Sequence, residues 1–397
     1  MKIRKLLLSL GVFLMTPAFC HAENNDISNV INNDINFSTR QYSLMLQQIG
    51  REGKVRIPKT IDKLGRVVYI PIDDWCSGFF PGSLCYLYQL TNDKSWLLQS
   101  RRFTEALDSI QYLTWHHDVG FMIGSSYLNI YRLSPNKAYK KAIIQTAKSL
   151  CTRFRKKAGV IQSWNVDRGW QSKRGWTCPV IIDNMMNLEL LFEATRLSGD
   201  STYWKVAVSH ANKTLGNQFR KDGSCYHVVD YDPNNGAVLH RQTAQGYADN
   251  SAWARGQAWA VYGYTVCYRY THDRKYLDQA VKTLNFVMQN PNLPEDLIPY
   301  WDFDAPNIPN EPRDASSAAC IASALYEMNN YLPDNGYTSL ADRIIRSLSS
   351  PEYRAPLGKN GCFLLMHSVG SIPHNNEIDV PLNYADYYFL EALTRRK

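Results

Sequence analysis

Two aspartates, Asp118 and Asp183, stand in surroundings that suit acid–base chemistry. Asp118 follows His116 and His117 and precedes Val119-Gly-Phe121. Asp183 sits between Ile182 and Asn184 in an apolar stretch. Two carboxylates at one mouth are the usual equipment for glycoside chemistry. Apolar surroundings and a like charge raise one pKa, so that this acid stays protonated and can donate. The competing reading is structural, because Asp, Asn and Ser are the preferred helix N-caps. Asp249, Asp314 and Asp379 are read that way, as caps or supports. Arg255 opens an otherwise apolar helix, Trp253-Ala-Arg-Gly-Gln-Ala-Trp259. A guanidinium there is costly unless it meets an anion, either an internal carboxylate or one on a substrate. Trp75, Trp253 and Trp259 lie beside these polar starts, as core packing or as flat faces for sugar rings.

Other chemistries find less support. His116-His117-Asp118 contains metal-ligand types, but adjacent residues are expected to diverge and no H-E-x-x-H partner exists. No metal and no organic cofactor is expected. Glycine-rich nucleotide loops and the G-x-S-x-G elbow are absent. No C-x-x-C pair occurs, which removes zinc ribbons and thioredoxin-type redox sites. Cys76, Cys85, Cys151, Cys178, Cys225, Cys267, Cys320 and Cys362 are expected mostly as buried free thiols.

The elements that must position these residues show as a repeat. A helical stretch ends in a short turn, and the next opens near an aromatic residue. The junctions are Tyr88-Gln-Leu-Thr-Asn-Asp93, Tyr131-Arg-Leu-Ser-Pro-Asn136, Thr195-Arg-Leu-Ser-Gly-Asp200 and Tyr268-Arg-Tyr-Thr-His-Asp273, with a weaker fifth at Asn330-Tyr-Leu-Pro-Asp334. Two interleaved sets of helices follow. Residues 79–91, 120–133, 184–198, 251–271, 314–331 and 382–394 are poor in charge, as buried helices are. Residues 36–49, 94–110, 137–152, 201–216, 274–289 and 337–349 carry Lys, Arg and Glu on one face, as surface helices do. Six inner helices alternating with six outer ones predict an all-α fold, a closed (α/α)6 barrel. An open solenoid is the rival, and the irregular repeat spacing favours closure. The polar segments just before each inner helix then meet at one mouth.

Residues 1–22 read as an export segment. Lys2, Arg4 and Lys5 precede an apolar run, Leu6 to Phe19, and Cys20-His-Ala22 offers a cleavage site. The expectation is export to a bacterial periplasm, with lipidation at Cys20 as an alternative, and a single catalytic domain over 23–397. Loss of that segment lowers the net charge from +8 to +5, because it carries three cations and no acid. A balance so mild is no nucleic-acid footprint. No later apolar run is long enough to span a bilayer. Aromatic residues make up 12% of the chain, which suits a large core and equally a sugar cleft.

Several longer motifs occur in one order. They are Trp75-Cys-Ser-Gly-Phe-Phe-Pro-Gly82, His117-Asp-Val-Gly-Phe121, Ile182-Asp-Asn-Met-Met-Asn-Leu188 and Ser251-Ala-Trp-Ala-Arg-Gly-Gln-Ala-Trp259. Arg313-Asp-Ala-Ser-Ser-Ala318 and Asp379-Val-Pro-Leu-Asn-Tyr-Ala-Asp-Tyr-Tyr388 complete them. On these the chain resembles the unsaturated glucuronyl hydrolases, glycoside hydrolase family 88. The resemblance implies the (α/α)6 barrel. It also implies removal of a 4,5-unsaturated uronate from the non-reducing end of lyase-generated oligosaccharides. The reaction is hydration of the enol-ether double bond rather than attack at the anomeric carbon. Asp183 matches the general acid/base and Asp118 the second carboxylate. Trp75, His117, His227, Gln245, Arg255 and Trp259 match sugar-binding positions. Ser368 and Ser371 fall where sulfate-recognising residues occur, and no Lys or Arg occurs from Met366 to Tyr388. Glycosaminoglycan fragments are the expected substrate. The alternatives are an unsaturated rhamnogalacturonyl hydrolase on pectin fragments, a non-catalytic periplasmic sugar-binding protein and a polysaccharide lyase.

Overall fold

A computed structural model of the protein describes residues 17–50 and 55–397. The export segment expected at 1–22 lies mostly outside the described residues. The rest is a ring of paired helices. In chain order an outer helix α1 (Pro17–Ile49) precedes an inner helix α2 (Phe79–Thr91), and outer α3 (Lys94–Glu105) follows. The second inner helix is composite: α4 (Val119–Ile123) runs through a π turn, Gly124–Leu128, into α5 (Asn129–Leu133). Outer α6 (Lys137–Cys151), inner α7 (Leu188–Ser198) and outer α8 (Ser201–Asn217) come next. Inner α9 (Ala254–Thr271), outer α10 (Arg274–Gln289), inner α11 (Ala315–Asn329), outer α12 (Tyr337–Leu348) and inner α13 (Asn383–Arg396) complete it. Each inner helix packs on the next, and α13 packs back on α2. That last contact closes the ring and decides for the barrel over the solenoid.

The junctions form for a local reason. Thr91, Ser198 and Thr271 return their hydroxyls to the carbonyl four residues earlier, which ends each inner helix. Asn92, Gly199 and His272 then take the left-handed conformation that terminates helices. Asp93, Asp200 and Asp273 accept from the backbone N–H of Ser95, Thr202 and Lys275 and start the outer helices. Asn136 does the same for α6. The weaker fifth junction has no such side-chain cap at α12. Inner α9 is buried on all sides from Ala254 to Cys267, as its low charge requires.

The all-α reading needs one addition. Nine short strands lie in the connections among the described residues. A hairpin of β1 (Ile57–Ile61) and β2 (Val67–Ile70) precedes α2, and β3 (Phe154–Arg155) pairs with β4 (Val160–Ile161). β5 (Pro179–Ile181), β6 (Val228–Tyr231) and β7 (Val238–Gln242) form an antiparallel sheet. A last hairpin, β8 (Ser368–Ser371) with β9 (Asn376–Val380), precedes α13. The eight cysteines from Cys76 to Cys362 are free, and all but the half-buried Cys151 are buried.

The far mouth is closed by charge. Arg132, Arg269 and Arg395, near the C-terminal ends of α5, α9 and α13, pair with Glu189, Glu193, Glu327 and Glu391. Cations at helix C-termini also oppose the helix dipoles. A cavity of about 450 Å³ lies there, but its arginines and glutamates already engage one another.

Candidate active site

The N-terminal ends of the inner helices surround a cleft of two adjoining lobes, about 390 and 400 Å³. Trp75, Asp118, Trp164 and Gln171 belong to both walls. Asp118 opens α4 and Asp183 lies on the 3-10 turn Ile182–Asn187 that leads into α7. Both are 8% exposed.

Burial is the main influence on each carboxyl. It raises Asp118 well above the usual carboxylate range, and the charge of Asp183 raises it further. Burial pushes Asp183 up to about 6, against the charge of Arg255 and the indole N–H of Trp259. Burial thus favours the protonated form of both acids, and it keeps a proton on Asp183 into mildly acidic pH. Asp118 Oδ1 lies 3.2 Å from His117 Nε2. Asp183 Oδ2 lies 3.7 Å from His227 Nε2. Burial keeps both histidines neutral.

The tautomer of His227 follows from its surroundings. Its Nδ1 accepts the backbone N–H of Ala244 at 3.1 Å and of Gln245 at 3.2 Å. The ring proton therefore sits on Nε2 and faces Asp183. His117 Nε2, Asp183 Oδ2 and His227 Nε2 are buried without a well-aligned hydrogen bond to the protein. Such atoms are costly alone, and the hydroxyl and carboxylate groups of a sugar acid would satisfy them.

The other expected residues divide. Trp75, Gln245, Arg255 and Ser371 line the cleft beside Asp183. Arg255 meets an internal anion: it pairs with Asp314 at 3.3 Å and donates to the carbonyls of Val369 and Gly370. It thereby ties the β8–β9 hairpin to the barrel, and Asp314 caps α11 as well. Trp259 and His227 are buried at the floor against Asp183 rather than in the lining. Ser368 is fully buried with an unpartnered hydroxyl and does not reach the wall, whereas Ser371 bonds His374 Nδ1 at 2.7 Å.

One expectation needs revision, and two aspartates take supporting rather than capping places. The His116 and His117 rings do not diverge but stack in parallel, 5.7 Å apart. Their nitrogens and the Asp118 carboxylate come within 4.8 Å of one another. His116 Nδ1 is already engaged, because it accepts the Asp118 backbone N–H at 3.1 Å. Asp249 accepts from Thr243 and caps no helix, and Asp379 pairs with His367 at 2.7 Å.

A tryptophan wall was missed. Trp164 stacks on Trp176 at 5.5 Å and meets Trp170 at 5.0 Å, and Trp170 lies 4.8 Å from His374. The signal is three tryptophans within 164–176, between the helices expected at 137–152 and 184–198.

The family model described as Glycosyl Hydrolase Family 88 matches residues 58–392. The chain belongs to glycosyl hydrolase family 88. Among curated family-88 relatives, an unsaturated glucuronyl hydrolase of Formosa agariphila is 46% identical over 347 residues, 87% of this chain and 86% of the relative. An unsaturated chondroitin disaccharide hydrolase of Streptococcus agalactiae is 31% identical, covering 86% of this chain and 92% of that one. Among solved structures, an unsaturated glucuronyl hydrolase specific for heparin superposes with a TM-score of 0.88 at 44% identity, covering 93% and 97% of the two chains. The family-88 fold is therefore the (α/α)6 barrel expected from the helix count, and the protein is a glycosidase.

Proposed function

We propose that this family-88 enzyme removes the 4,5-unsaturated uronate from the non-reducing end of lyase-generated glycosaminoglycan oligosaccharides by hydrating its double bond. The observation that carries the reading is the buried pair Asp118 and Asp183 at one cleft, each carboxyl raised by burial. Asp183 gives its proton to C4 of the enol ether, and positive charge develops at C5 and the ring oxygen. Asp118 orients the sugar and stabilises that oxocarbenium-like state. Water adds to C5 and loses a proton to the Asp183 carboxylate, which restores the acid. The product is a hemiketal. It opens to a C5 ketone, and the glycosidic bond is lost with the leaving sugar.

His227, with its proton on Nε2, is placed to bond the substrate or Asp183. Trp75 and Trp164 offer ring faces, and Gln245, Ser371 and His374 offer polar contacts. The named activities of the relatives favour glycosaminoglycan over pectin fragments. Export through residues 1–22 belongs to the same reading, on the strength of Lys2, Arg4, Lys5 and the apolar run behind them. Fractionation of a producing cell tests that part: activity retained in the cytoplasm contradicts it.

A rapid-quench reaction in D₂O tests the chemistry. The expected early product carries one deuteron placed stereospecifically on C4. An early product that keeps its C4–C5 double bond would mean direct hydrolysis and would overturn the mechanism.

A further inference from the structure

Asp118 occupies the N-cap position of α4, yet its side chain makes no capping bond. An aspartate there ordinarily accepts the N–H of the second or third helical residue. Asp314 does so at α11, where it accepts from Ser316. At α4 the third residue is Phe121, and its N–H goes instead to Asn187 Oδ1 at 2.9 Å. Asn187 comes from the 3-10 turn that also carries Asp183. It is fully buried and braced: its Nδ2 donates to Asn184 Oδ1 at 3.2 Å, and Asn184 donates to the Ile161 carbonyl at 2.7 Å. The close approach needs Gly120, because a Cβ there would lie 2.5 Å from Asn187 Oδ1 and 2.8 Å from Asn187 Cα.

We propose that Asn187 is a positioning residue that caps α4 from the 3-10 turn leading into the neighbouring inner helix and so releases the Asp118 carboxylate to face the cleft. Without that bond the Phe121 N–H is a buried orphan, and an N-cap aspartate such as Asp118 is the side chain that ordinarily accepts it. A carboxylate drawn back onto its own helix is lost to the reaction. The Asn187 amide favours the ionised form of Asp118 in addition. The inference rests on the proposed hydration reaction, which wild-type turnover of an unsaturated disaccharide tests separately.

The test is a double-mutant cycle on that disaccharide with Asn187→Ala, Asp118→Asn and both together, each checked by thermal melting. Misplacement of a reacting group by about 1 Å costs about 100-fold. Asn187→Ala is therefore expected to lower kcat about 10- to 100-fold with KM within about twofold. In the Asp118→Asn background it is expected to cost little more, since its effect runs through Asp118. Equal losses in both backgrounds, or an unchanged kcat, would overturn the proposal. Should Asn187→Ala not fold, Asn187→Asp keeps an oxygen for Phe121, and the same cycle decides: coupling to Asp118 supports the proposal and additivity overturns it.

Discussion

Asp183 gains its reactivity from what surrounds it rather than from its type. Burial raises its carboxyl to about 6, while Arg255 and the Trp259 indole hold it from rising further. A donor must be protonated, so kcat/KM is expected to fall as pH rises through about 6, read from a pH–rate profile. Trp259→Phe removes an N–H that favours the carboxylate and keeps the ring. It should move that alkaline limb upward, and a limb that stays or falls contradicts the role given to the indole. Asp183→Asn removes the proton donor, and a loss of about 10²–10⁴-fold in kcat with an unchanged melting temperature is expected. The sequence carried these residues well, because Asp118 and Asp183 sit in apolar motifs and an isolated acid there needs a reason. It did not carry their partners. That Arg255 answers Asp314 and two carbonyls of β8, and that Ser368 turns into the core, depend on how a late hairpin folds over the mouth. No local pattern records that.

Elements were legible where the chain encodes their ends locally. The Thr-x-Asp junctions of α3 and α10 and the Ser-Gly-Asp junction of α8 gave helix boundaries because stop and start signals lie within three residues of each other. The strands were not legible. Pro179–Ile181 pairs with Val228–Tyr231 across a whole helical hairpin, and such short partners have no period of their own. The tryptophan wall rides on those irregular connections, where no helical period marks it. Close packing of inner helices gives a sharp test. A Cβ on Gly82 would lie 2.2 Å from the Ser125 carbonyl oxygen in the π turn, which is backbone and cannot step aside. Gly82→Ala should destabilise the barrel by about 1–3 kcal/mol, seen as a lower denaturation midpoint.

At the scale of the molecule the barrel has two unlike ends. The near mouth keeps unpaired polar atoms around two acids, and the far mouth satisfies its charges internally. Burial disfavours charge on Glu189 and Glu327, but Arg132 and Arg269 outweigh it at Glu189, and Arg269 and Arg395 at Glu327. Both carboxyls fall to about 2 from an ordinary 4.5. Their folded pKa lies below the unfolded one, so this stabilisation is complete above about pH 4.5 and is lost as pH falls toward 2. Acid unfolding should begin in that window. Arg269→Met, which takes one of two arginine partners from each of Glu189 and Glu327, should cost about 1.5–3 kcal/mol and move the onset to higher pH. This plug is not legible in the sequence: Arg132, Arg269 and Arg395 are scattered along the chain, and only closure of the ring brings them together.

The central claim is removal of an unsaturated uronate through Asp183. The most direct measurement follows the ultraviolet absorbance of the conjugated double bond in lyase-generated heparin and chondroitin disaccharides, with wild type and Asp183→Asn. Absorbance should fall with wild type and hold with the variant, and the relative rates would rank the two substrates. No loss with wild type on either disaccharide, or a rise on intact polysaccharide, would contradict the account.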